Sequence, residues 1–449
     1  SDLTTMKKIV VFGAGLSATY LISYLESNAE KFSWELVVAD MNLELAKSKC
    51  KNNATTCVQI DIHNEDKVIE LLQGSALAVS MLPASLHLTI AHNCLEMGIH
   101  LATASYLSDE LKALSEVVEQ KDLVFLNECG LDPGIDHLSA MKLLDEIREN
   151  GNTITEFESF TGGLVAPECE DNPWKYKFTW NPRNVILAGS GGSVKFIHNG
   201  QYKFIPYHRV FRRTELVEIE GYGKFEGYAN RDSLKYRGTY GLSDVKTMYR
   251  GTFRRPGFSK AWNCFVQIGA TDDSYILPYS ANMNHREFIN TFLAYHPTDS
   301  IELKFKSYLG IDQDDIYVWE KIESTGVFSE EKIGLENDAT PAQILEHILK
   351  KKWSMKDTDR DMIVMWHKVS YEKNQQTMCA ESSLVIEGED RMQTAMAQTV
   401  GLPLAIACKL ILENKIAAKG CILPTTKDVY IPILKELEEF GIIFKEMHY

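Results

Sequence analysis

A glycine-rich segment near the N-terminus constrains the fold of this chain more than any other part of its sequence. Gly13, Gly15 and Ala18 come directly after the apolar run 8–12 and open a segment of helical character. In such a strand–turn–helix unit the first glycine permits a tight turn, the second lets a pyrophosphate approach the backbone, and a small third residue allows close packing. The unpaired N–H groups at the start of the helix attract phosphate. The predicted dinucleotide-binding turn consists of Gly13, Ala14, Gly15, Leu16 and Ser17.

Short apolar segments alternate with longer helical segments over the first 130 residues. Strands that are apolar almost throughout are typical of a parallel sheet covered by helices on both faces. We therefore predict a doubly wound, Rossmann-type α/β domain. Its predicted strands cover residues 8–12, 34–39, 57–60, 77–82, 100–103 and 123–126.

The pattern changes beyond about residue 130, where alternating strands and glycine-rich turns indicate a second, more antiparallel α/β domain. A helical stretch over 258–358 interrupts it, and strand-like segments return from residue 359. An apolar helix near residues 393–412 is expected to return to the first domain. We expect domains over 1–129 with about 393–449, over 130–257 with 359–392, and over 258–358.

Asp40 ends the second predicted strand, 22 residues after Ala18. A carboxylate at this position accepts hydrogen bonds from the ribose hydroxyls and repels a 2′-phosphate. Met41 and Asn42 follow it, and neither offers the positive charge that a 2′-phosphate requires. The segment favours NAD, with NADP as the less favoured cofactor. Further predicted contacts follow the third and fourth strands: Asp61 and Ile62 at the adenine edge, and Leu82 on the nicotinamide side.

The charge balance argues against several classes of partner. The chain has 47 Lys and Arg residues against 62 Asp and Glu residues, a net charge of −15. Such a chain repels nucleic acids and anionic membranes. The nine cysteines include no CxxC pair, so we expect reduced thiols, no metal centre and a cytoplasmic location. No secretory signal or membrane-spanning segment is predicted.

A longer set of motifs resembles the saccharopine reductase family, the glutamate-forming saccharopine dehydrogenases. The segment Asn127–His137, with Asp132-Pro133-Gly134 at its centre, is similar to the signature segment of this family. The other similar segments are Thr103–Tyr106, Gly162–Leu164, Tyr176–Trp180, Asn230–Ser233, Arg250–Arg254, Asp359–Met362 and Thr399–Pro403. The resemblance covers nearly the whole chain and is weakest in the helical stretch.

This resemblance implies a fold, an activity and a set of contact residues. It implies a nucleotide-binding domain, an α/β substrate and dimerisation domain, and a small helical domain. The implied activity is the reversible oxidation of saccharopine to L-glutamate and 2-aminoadipate 6-semialdehyde by a homodimer in lysine metabolism. Beyond the residues named above, the implied cofactor contacts are Ala104, Ser105, Leu131, Asp132 and Pro133. The implied substrate contacts are Ser105, Tyr106, Asp132, Arg231, Thr252, Phe253 and Arg254.

Two positions depart from the fungal members of that family. Fungal members that use NADP carry an arginine where this chain has Met41, which agrees with the NAD preference inferred from Asp40. Fungal members also carry a cysteine at the position of Thr161, so any role of that thiol in the chemistry is absent here.

The expected chemistry needs fixed positive charge and a route for protons. Saccharopine carries three carboxylates, and the planar fork of arginine suits bidentate carboxylate recognition, so Arg231 and Arg254 are the predicted carboxylate ligands. Asp132 and Tyr106 are the candidate catalytic residues, although a tyrosine of ordinary pKa is a poor base at neutral pH and better suited to orienting the substrate. Asp132 either moves protons or binds the substrate ammonium group, and an ordered water is a further candidate for proton transfer.

Other residues and functions stay open at this level. His137 is either a base or a histidine that bonds within its own helix. Lys177 is a ligand of the substrate carboxylates, a solvated lysine or a lysine on the cofactor side. An imine reductase of the carboxynorspermidine synthase type is an alternative, although its substrate needs fewer arginines. A non-catalytic NAD-binding protein is a second alternative.

Overall fold

The computed structural model describes residues 5–188, 190, 192–229 and 232–449. The strands, in chain order, are β1 (Lys7–Phe12), β2 (Trp34–Asp40), β3 (Thr56–Gln59), β4 (Ser75–Ser80), β5 (His100–Thr103), β6 (Val124–Leu126), β7 (Thr153–Val165), β8 (Val194–His198), β9 (Gln201–Ile205), β10 (Glu215–Ile219), β11 (Gly223–Tyr228), β12 (Thr247–Arg254), β13 (Asp361–Lys373), β14 (Gln376–Glu387), β15 (Gly420–Ile422) and β16 (Lys445–His448).

The α-helices, in chain order, are α1 (Thr19–Phe32), α2 (Leu43–Lys49), α3 (Glu65–Leu72), α4 (His87–Met97), α5 (Asp109–Lys112), α6 (Ser115–Gln120), α7 (Ile135–Glu149), α8 (Pro182–Ile186), α9 (Phe258–Ile268), α10 (His285–Asn290), α11 (Ile301–Leu309), α12 (Ile316–Ser324), α13 (Pro341–Trp353), α14 (Ala395–Leu412) and α15 (Lys427–Glu439). Short 3₁₀ turns precede several of them, including Leu16–Ala18 before α1 and Ala84–Leu86 before α4.

The chain divides into two compact units. The first comprises the residues up to Asn152 together with Met392–Glu446, and the second comprises Thr153–Arg391 with Met447–Tyr449. Each unit has its own buried apolar cluster, around Val10, Phe12 and Phe125 in the first unit and around Phe160 and Trp366 in the second.

The first unit contains a seven-stranded sheet in the order β15-β6-β5-β4-β1-β2-β3, and its paired strands are parallel. The apolar run Ile9–Phe12 is fully buried in β1, as expected for a strand covered on both faces. The strand order reverses between β1 and β4, and ligands of such sheets bind at the carboxyl ends of the strands near that point. This sheet confirms the predicted doubly wound fold.

Helix α14 belongs to the first unit and packs against α1. It has the length and hydropathy of a membrane span, but 78% of this 18-residue segment is buried inside the fold, as is typical of a core helix. An added Cβ atom at Gly401 would lie 2.8 Å from the backbone nitrogen of Leu21. The close approach of the two helices therefore requires glycine at this position.

The second unit is built on a mixed nine-stranded sheet in which the order β10-β11-β12-β7-β13-β14-β16 forms the main path. β12 and β7 are parallel, whereas β13 pairs antiparallel with both β7 and β14. Helices α9 to α13 fall between β12 and β13 in the chain. This arrangement confirms the predicted α/β fold with a helical insert. The three-part division predicted from the sequence stays a prediction.

Candidate functional site

The turn after β1 has the backbone geometry that its glycines predict. Gly13 has φ +100°, and an added Cβ atom would lie 3.0 Å from the backbone carbonyl of Met81. Its N–H group donates to the carbonyl oxygen of Ala39 at 2.8 Å. Gly13 therefore joins the ends of β1, β2 and β4 at a position where no larger residue fits. Ala14 follows it and is fully buried.

Gly15 differs from Gly13 because the space around it is open. An added Cβ atom would have no atom of a described residue within 4 Å. Gly15 precedes the 3₁₀ turn Leu16–Ala18, and no side chain caps the start of that turn or of α1. Leu16 is exposed and Ser17 is half-buried. Open space beside an uncapped helix start fits a pyrophosphate, so the residues present suit the dinucleotide that the sequence predicts.

The Asp40 carboxylate is held by two backbone N–H groups. One oxygen, Oδ2, accepts from Ala14 N at 2.8 Å, and the other, Oδ1, accepts from Asn42 N at 2.8 Å. These bonds fix the carboxylate beside the glycine turn. The Met41 side chain is 63% exposed, and Asn42 caps α2 through its Oδ1 atom. A ligand phosphate at this place would meet a fixed negative charge.

The residues predicted after β3 and β4 lie at the same carboxyl edge of the sheet. Asp61 is exposed, and its Oδ1 atom accepts from His63 N at 2.9 Å. Ile62 is buried, and the half-buried Leu82 packs on the apolar cluster of the first unit. Asp61 is thus available to a polar ligand group, whereas Ile62 offers apolar packing.

The loops after β5 and β6 contact each other. Glu128 N donates to Ser105 O at 2.9 Å, and an added Cβ atom at Gly130 would lie 2.9 Å from the Cβ atom of Ala104. Gly134 has φ +151°, and its own added Cβ atom would overlap the Gly130 carbonyl at 1.9 Å. The two loops therefore form one tightly folded edge of the sheet.

Several predicted contact residues lie on these two loops. The Tyr106 side chain is 43% exposed, Asp132 is half-buried, and Leu131 and Pro133 are buried. Asp132 and Tyr106 are thus both accessible on adjoining loops. This geometry suits polar contacts to a ligand and does not by itself identify a proton acceptor.

His137 is fully buried and forms an ion pair or hydrogen bond outside its own helix. Its Nε2 atom lies 2.9 Å from Glu128 Oε1, and Glu128 Oε2 accepts from Leu107 N at 3.1 Å. Asp136 Oδ1 accepts from Gly134 N at 2.7 Å. His137 therefore ties together the loops after β5 and β6, which neither of its two sequence interpretations anticipated.

A buried polar chain at the ends of β4 and β5 was missed by the sequence analysis. Ser80 Oγ lies 2.6 Å from His87 Nδ1, and His87 Nε2 lies 2.9 Å from Ser105 Oγ. His87 is 5% exposed, and burial lowers its pKa to about 4, so the imidazole is neutral at physiological pH. The signal in the sequence is a serine that ends each of two apolar segments, with a histidine soon after the first.

In the second unit, Arg254 is buried at 7% exposure. Its guanidinium carbon lies 4.8 Å from the ring centre of Tyr176 and 5.5 Å from that of Phe258. Nη1 donates to Phe253 O at 2.9 Å, whereas the buried Nε has no hydrogen-bond partner among the described residues. Among the ion pairs formed by described residues, none includes Arg254. A buried guanidinium that forms no ion pair with a described residue suits a ligand of an anion.

The neighbouring predicted substrate residues differ in accessibility. Thr252 is 8% exposed and lies opposite Thr161 in the pairing of β12 with β7. The Phe253 side chain is fully buried and packs against Phe160 at 5.3 Å between ring centres. Phe253 therefore supports the strand through its core contacts. Arg231 lies outside the described residues.

Two other cations of this unit are fully paired. The Lys177 Nζ atom donates to Asp359 Oδ2 at 2.7 Å and to Asp171 Oδ2 at 3.0 Å. Arg255 Nε donates to Glu170 at 3.1 Å, and its Nη1 donates to two carbonyl oxygens. Lys177 is therefore committed to carboxylates of the protein itself. Within the described ranges, no three His, Cys, Asp or Glu side chains come together as metal ligands.

Comparison with family models gives two matches that together cover most of the chain. Residues 9–126 match the saccharopine dehydrogenase NADP binding domain, and residues 130–442 match the saccharopine dehydrogenase C-terminal domain. The first match supports binding of a pyridine nucleotide by the N-terminal part of the chain. Its description names NADP, so the predicted preference for NAD is not confirmed.

The proteins similar in sequence are of two kinds, one about as long as this chain and one about twice as long. The saccharopine dehydrogenase (NADP(+), L-glutamate-forming) of Saccharomyces cerevisiae is 30% identical over 448 residues, covering 98% of this chain and 99% of that protein. The mitochondrial alpha-aminoadipic semialdehyde synthase of Mus musculus is 31% identical over 459 residues, covering 99% of this chain and 48% of the mouse protein. The chain thus spans about half the length of its animal relatives.

A solved structure is similar to this chain over its whole length. Apo saccharopine dehydrogenase (L-Glu forming) from Saccharomyces cerevisiae has a TM-score of 0.89 and 29% identity, covering 99% of this chain and 100% of that one. A homospermidine synthase from Legionella pneumophila, solved with NAD, has a TM-score of 0.53 at 12% identity and shares the fold alone. From its motifs, its two sheets and its matched length, the chain belongs to the saccharopine dehydrogenase family.

Proposed function

We propose that this chain catalyses the reversible oxidation of saccharopine to L-glutamate and 2-aminoadipate 6-semialdehyde, with NAD as the preferred cofactor. The observation that carries the proposal is the end-to-end match, in sequence and in fold, to the yeast enzyme of this activity. The buried Arg254, which has no carboxylate partner among the described residues, supports an anionic substrate. Lysine metabolism is the corresponding context.

The proposed nucleotide contacts lie along the carboxyl edge of the parallel sheet. The turn from Gly13 to Ser17 would receive the pyrophosphate, because it combines open space with an uncapped helix start. Asp40 would accept hydrogen bonds from the ribose, with Met41 and Asn42 beside it, and Asp61 and Ile62 would contact the adenine. The proposed contacts of the nicotinamide half are Leu82, Ala104, Ser105, Leu131, Asp132 and Pro133. When bound, NAD accepts the hydride.

The negative charge of Asp40 favours NAD, although the yeast relative is named as an NADP(+) enzyme. Both Asp40 oxygens are fixed by backbone N–H groups, so the carboxylate would not turn away from a 2′-phosphate. The following residue, Met41, brings no compensating charge. A fixed like charge beside a phosphate disfavours NADP.

The proposed roles of the remaining residues follow from the reaction. The secondary amine must be neutral before hydride leaves its neighbouring carbon, and water then adds to the resulting imine and releases L-glutamate. Asp132 is proposed to bind the amine or move its proton, and Tyr106 to orient the substrate. Arg254 and Arg231 are proposed to bind substrate carboxylates, and Ser105 and the segment Thr252-Phe253 to contribute further substrate contacts.

A steady-state assay of saccharopine with each cofactor tests the proposal. We expect NADH formation, and a kcat/KM for NAD at least tenfold above that for NADP. No turnover with either cofactor would contradict the activity, whereas equal values would contradict the role of Asp40 alone. The variant Met41→Arg is a matched probe, because the side chain is 63% exposed and the fold does not depend on it. It is expected to lower the KM for NADP severalfold and to leave the melting temperature unchanged.

The oligomeric state of the protein and its location in the cell are also proposals. A homodimer is proposed, and light scattering coupled to size-exclusion chromatography measures it directly. The cytoplasmic location and the absence of membrane and nucleic-acid partners also stay predictions. The mouse relative is described as mitochondrial.

A further inference from the structure

The side chains of Ser80, His87 and Ser105 are connected by hydrogen bonds. The position of the proton on the His87 ring follows from counting the hydrogens that these bonds need. Ser80 is 1% exposed, and the described partner of its hydroxyl is His87 Nδ1 at 2.6 Å. If Nδ1 carried the imidazole proton, the Ser80 hydroxyl hydrogen would be buried without an acceptor. Such an orphaned donor costs about 1–3 kcal/mol. The Ser80 hydroxyl therefore donates to Nδ1, and the proton of the neutral ring is on Nε2.

The proton on Nε2 is directed at Ser105. The Ser105 Oγ atom lies 2.9 Å from Nε2, whereas Thr103 Oγ1 lies 3.5 Å from it. The Thr103 hydroxyl donates instead to the Ser80 carbonyl oxygen at 3.0 Å and accepts from Ser105 N at 3.2 Å. Ser105 Oγ thus accepts from His87, and the hydrogen of the Ser105 hydroxyl is left for an acceptor atom outside this chain of bonds.

We propose that His87 is a positioning residue that holds the Ser105 hydroxyl as a hydrogen-bond donor toward an acceptor oxygen of the bound nucleotide or substrate. The proposal deepens the proposed function and rests on it where it takes Ser105 as a ligand contact. His87 starts α4 and is buried, so it does not touch the ligand itself. A carboxamide or carboxylate oxygen is the class of acceptor that a serine hydroxyl serves.

The tautomer is tested without any ligand. In protein labelled with ¹⁵N-histidine, the His87 signals are identified by their loss in His87→Gln. We expect a protonated Nε2 and an unprotonated Nδ1 from pH 6 to pH 8. A proton on Nδ1, or a charged ring in this range, would overturn the assignment.

The positioning role is tested by a double-mutant cycle of His87→Leu and Ser105→Ala. The readouts are the Kd of NADH, measured by fluorescence, and the KM of saccharopine. Each single variant is expected to raise at least one constant by about three- to tenfold, the worth of one hydrogen bond. On the Ser105→Ala background, His87→Leu should add less than twofold, because the hydroxyl that it orients is already absent. His87→Gln, which keeps an N–H donor of similar reach, should restore most of the loss.

Additive effects in the cycle would mean that His87 acts on folding alone and would overturn the proposal. If His87→Leu does not fold, Ser80→Ala replaces it: mixed tautomer signals and weaker binding are expected, and no change in either contradicts the role. Failure of saccharopine turnover would remove the proposed function, whereas NADH binding and the ¹⁵N signals still test His87.

Discussion

At the scale of single residues, two adjacent buried arginines use their charges differently: Arg254, the last residue of β12, and Arg255, which follows it. Arg255 neutralises Glu170 and bonds carbonyl oxygens, so its charge is used within the protein. Arg254 is equally buried and stacks on Tyr176, and its Nε atom has no partner in the part of the chain that the structure describes. Keeping such a charge buried costs stability, and that cost is explained if an anionic ligand completes its bonds.

The two arginines are therefore expected to respond oppositely to replacement by methionine. Arg254→Met should raise the KM for saccharopine about tenfold or more and leave the melting temperature equal or higher, because it removes a buried charge that forms no ion pair with a described residue. Arg255→Met should lower stability by on the order of 3 kcal/mol, because it strands Glu170, and should change the KM little. Steady-state kinetics and thermal unfolding of both variants measure this, and the reverse pattern would exchange their roles.

His87 provides a residue-scale prediction about pH. Its pKa in the folded chain, about 4, lies below the ordinary value of 6.5, so the unfolded chain binds the proton between these pH values and the folded chain does not. The stabilisation is present above about pH 6.5 and is lost as pH falls toward 4, by at most about 3 kcal/mol. Urea unfolding of wild type and His87→Gln from pH 7 to pH 4.5 should show a shallower pH slope for the variant. Identical slopes would mean that His87 is not the titrating group.

At the scale of elements, helix α1, which follows the nucleotide turn, packs against helix α14 from the C-terminal part of the chain. Gly401 of α14 lies against Leu21, and its added Cβ atom would also lie 3.4 Å from Ser17 O in the turn. The position of the turn thus depends on Gly401, a residue with no proposed ligand contact. Gly15, in contrast, has no described atom within 4 Å of its added Cβ atom, and it lies in the turn proposed to bind the pyrophosphate.

The two glycines give a matched pair of variants. Gly401→Ala should destabilise the chain by about 1–3 kcal/mol, because α14 must move away from α1. Gly15→Ala should keep or slightly raise stability, by up to about 1 kcal/mol, yet weaken NADH binding about tenfold or more because its methyl group occupies the ligand space. Thermal unfolding and NADH titration separate the two effects. Loss of stability in Gly15→Ala would show that its surroundings are not open.

At the scale of the whole molecule, the two units have separate apolar cores. A ligand that binds one unit stabilises that unit by mass action, about 2.7 kcal/mol at a concentration 100 times its Kd. The proposed nucleotide contacts all belong to the first unit. The stabilisation by nucleotide alone is therefore expected to be local.

Hydrogen–deuterium exchange with NADH and without substrate tests this expectation. Exchange should slow in residues 5–152 and 392–446 and stay unchanged in residues 153–391. Protection of equal size in both parts would contradict the assignment of the nucleotide to the first unit. The variant Gly15→Ala is the control, because it should lose the protection without losing the fold.

The sequence by itself determined six of the seven strands of the parallel sheet, the glycine turn and the carboxylate of Asp40, because each depends on residues that are neighbours along the chain. The apolar runs set the strands, and Gly13 fixed the turn through its own backbone freedom. The ends of the elements depend on more distant contacts: α1 runs from Thr19 to Phe32 and packs against α14 from the far end of the chain.

Only the tertiary structure decided which polar groups are already satisfied. Ser80, His87 and Ser105 are bonded across separations of 7 and 18 residues, and Glu128 reaches His137 across 9. Lys177 is neutralised by Asp359, which is 182 residues away, whereas the Arg254 Nε atom has no partner among the residues that the structure describes. The physical reason is that periodicity is a local property of a chain, while the pairing of buried charges and hydrogen bonds depends on which distant segments the fold brings together.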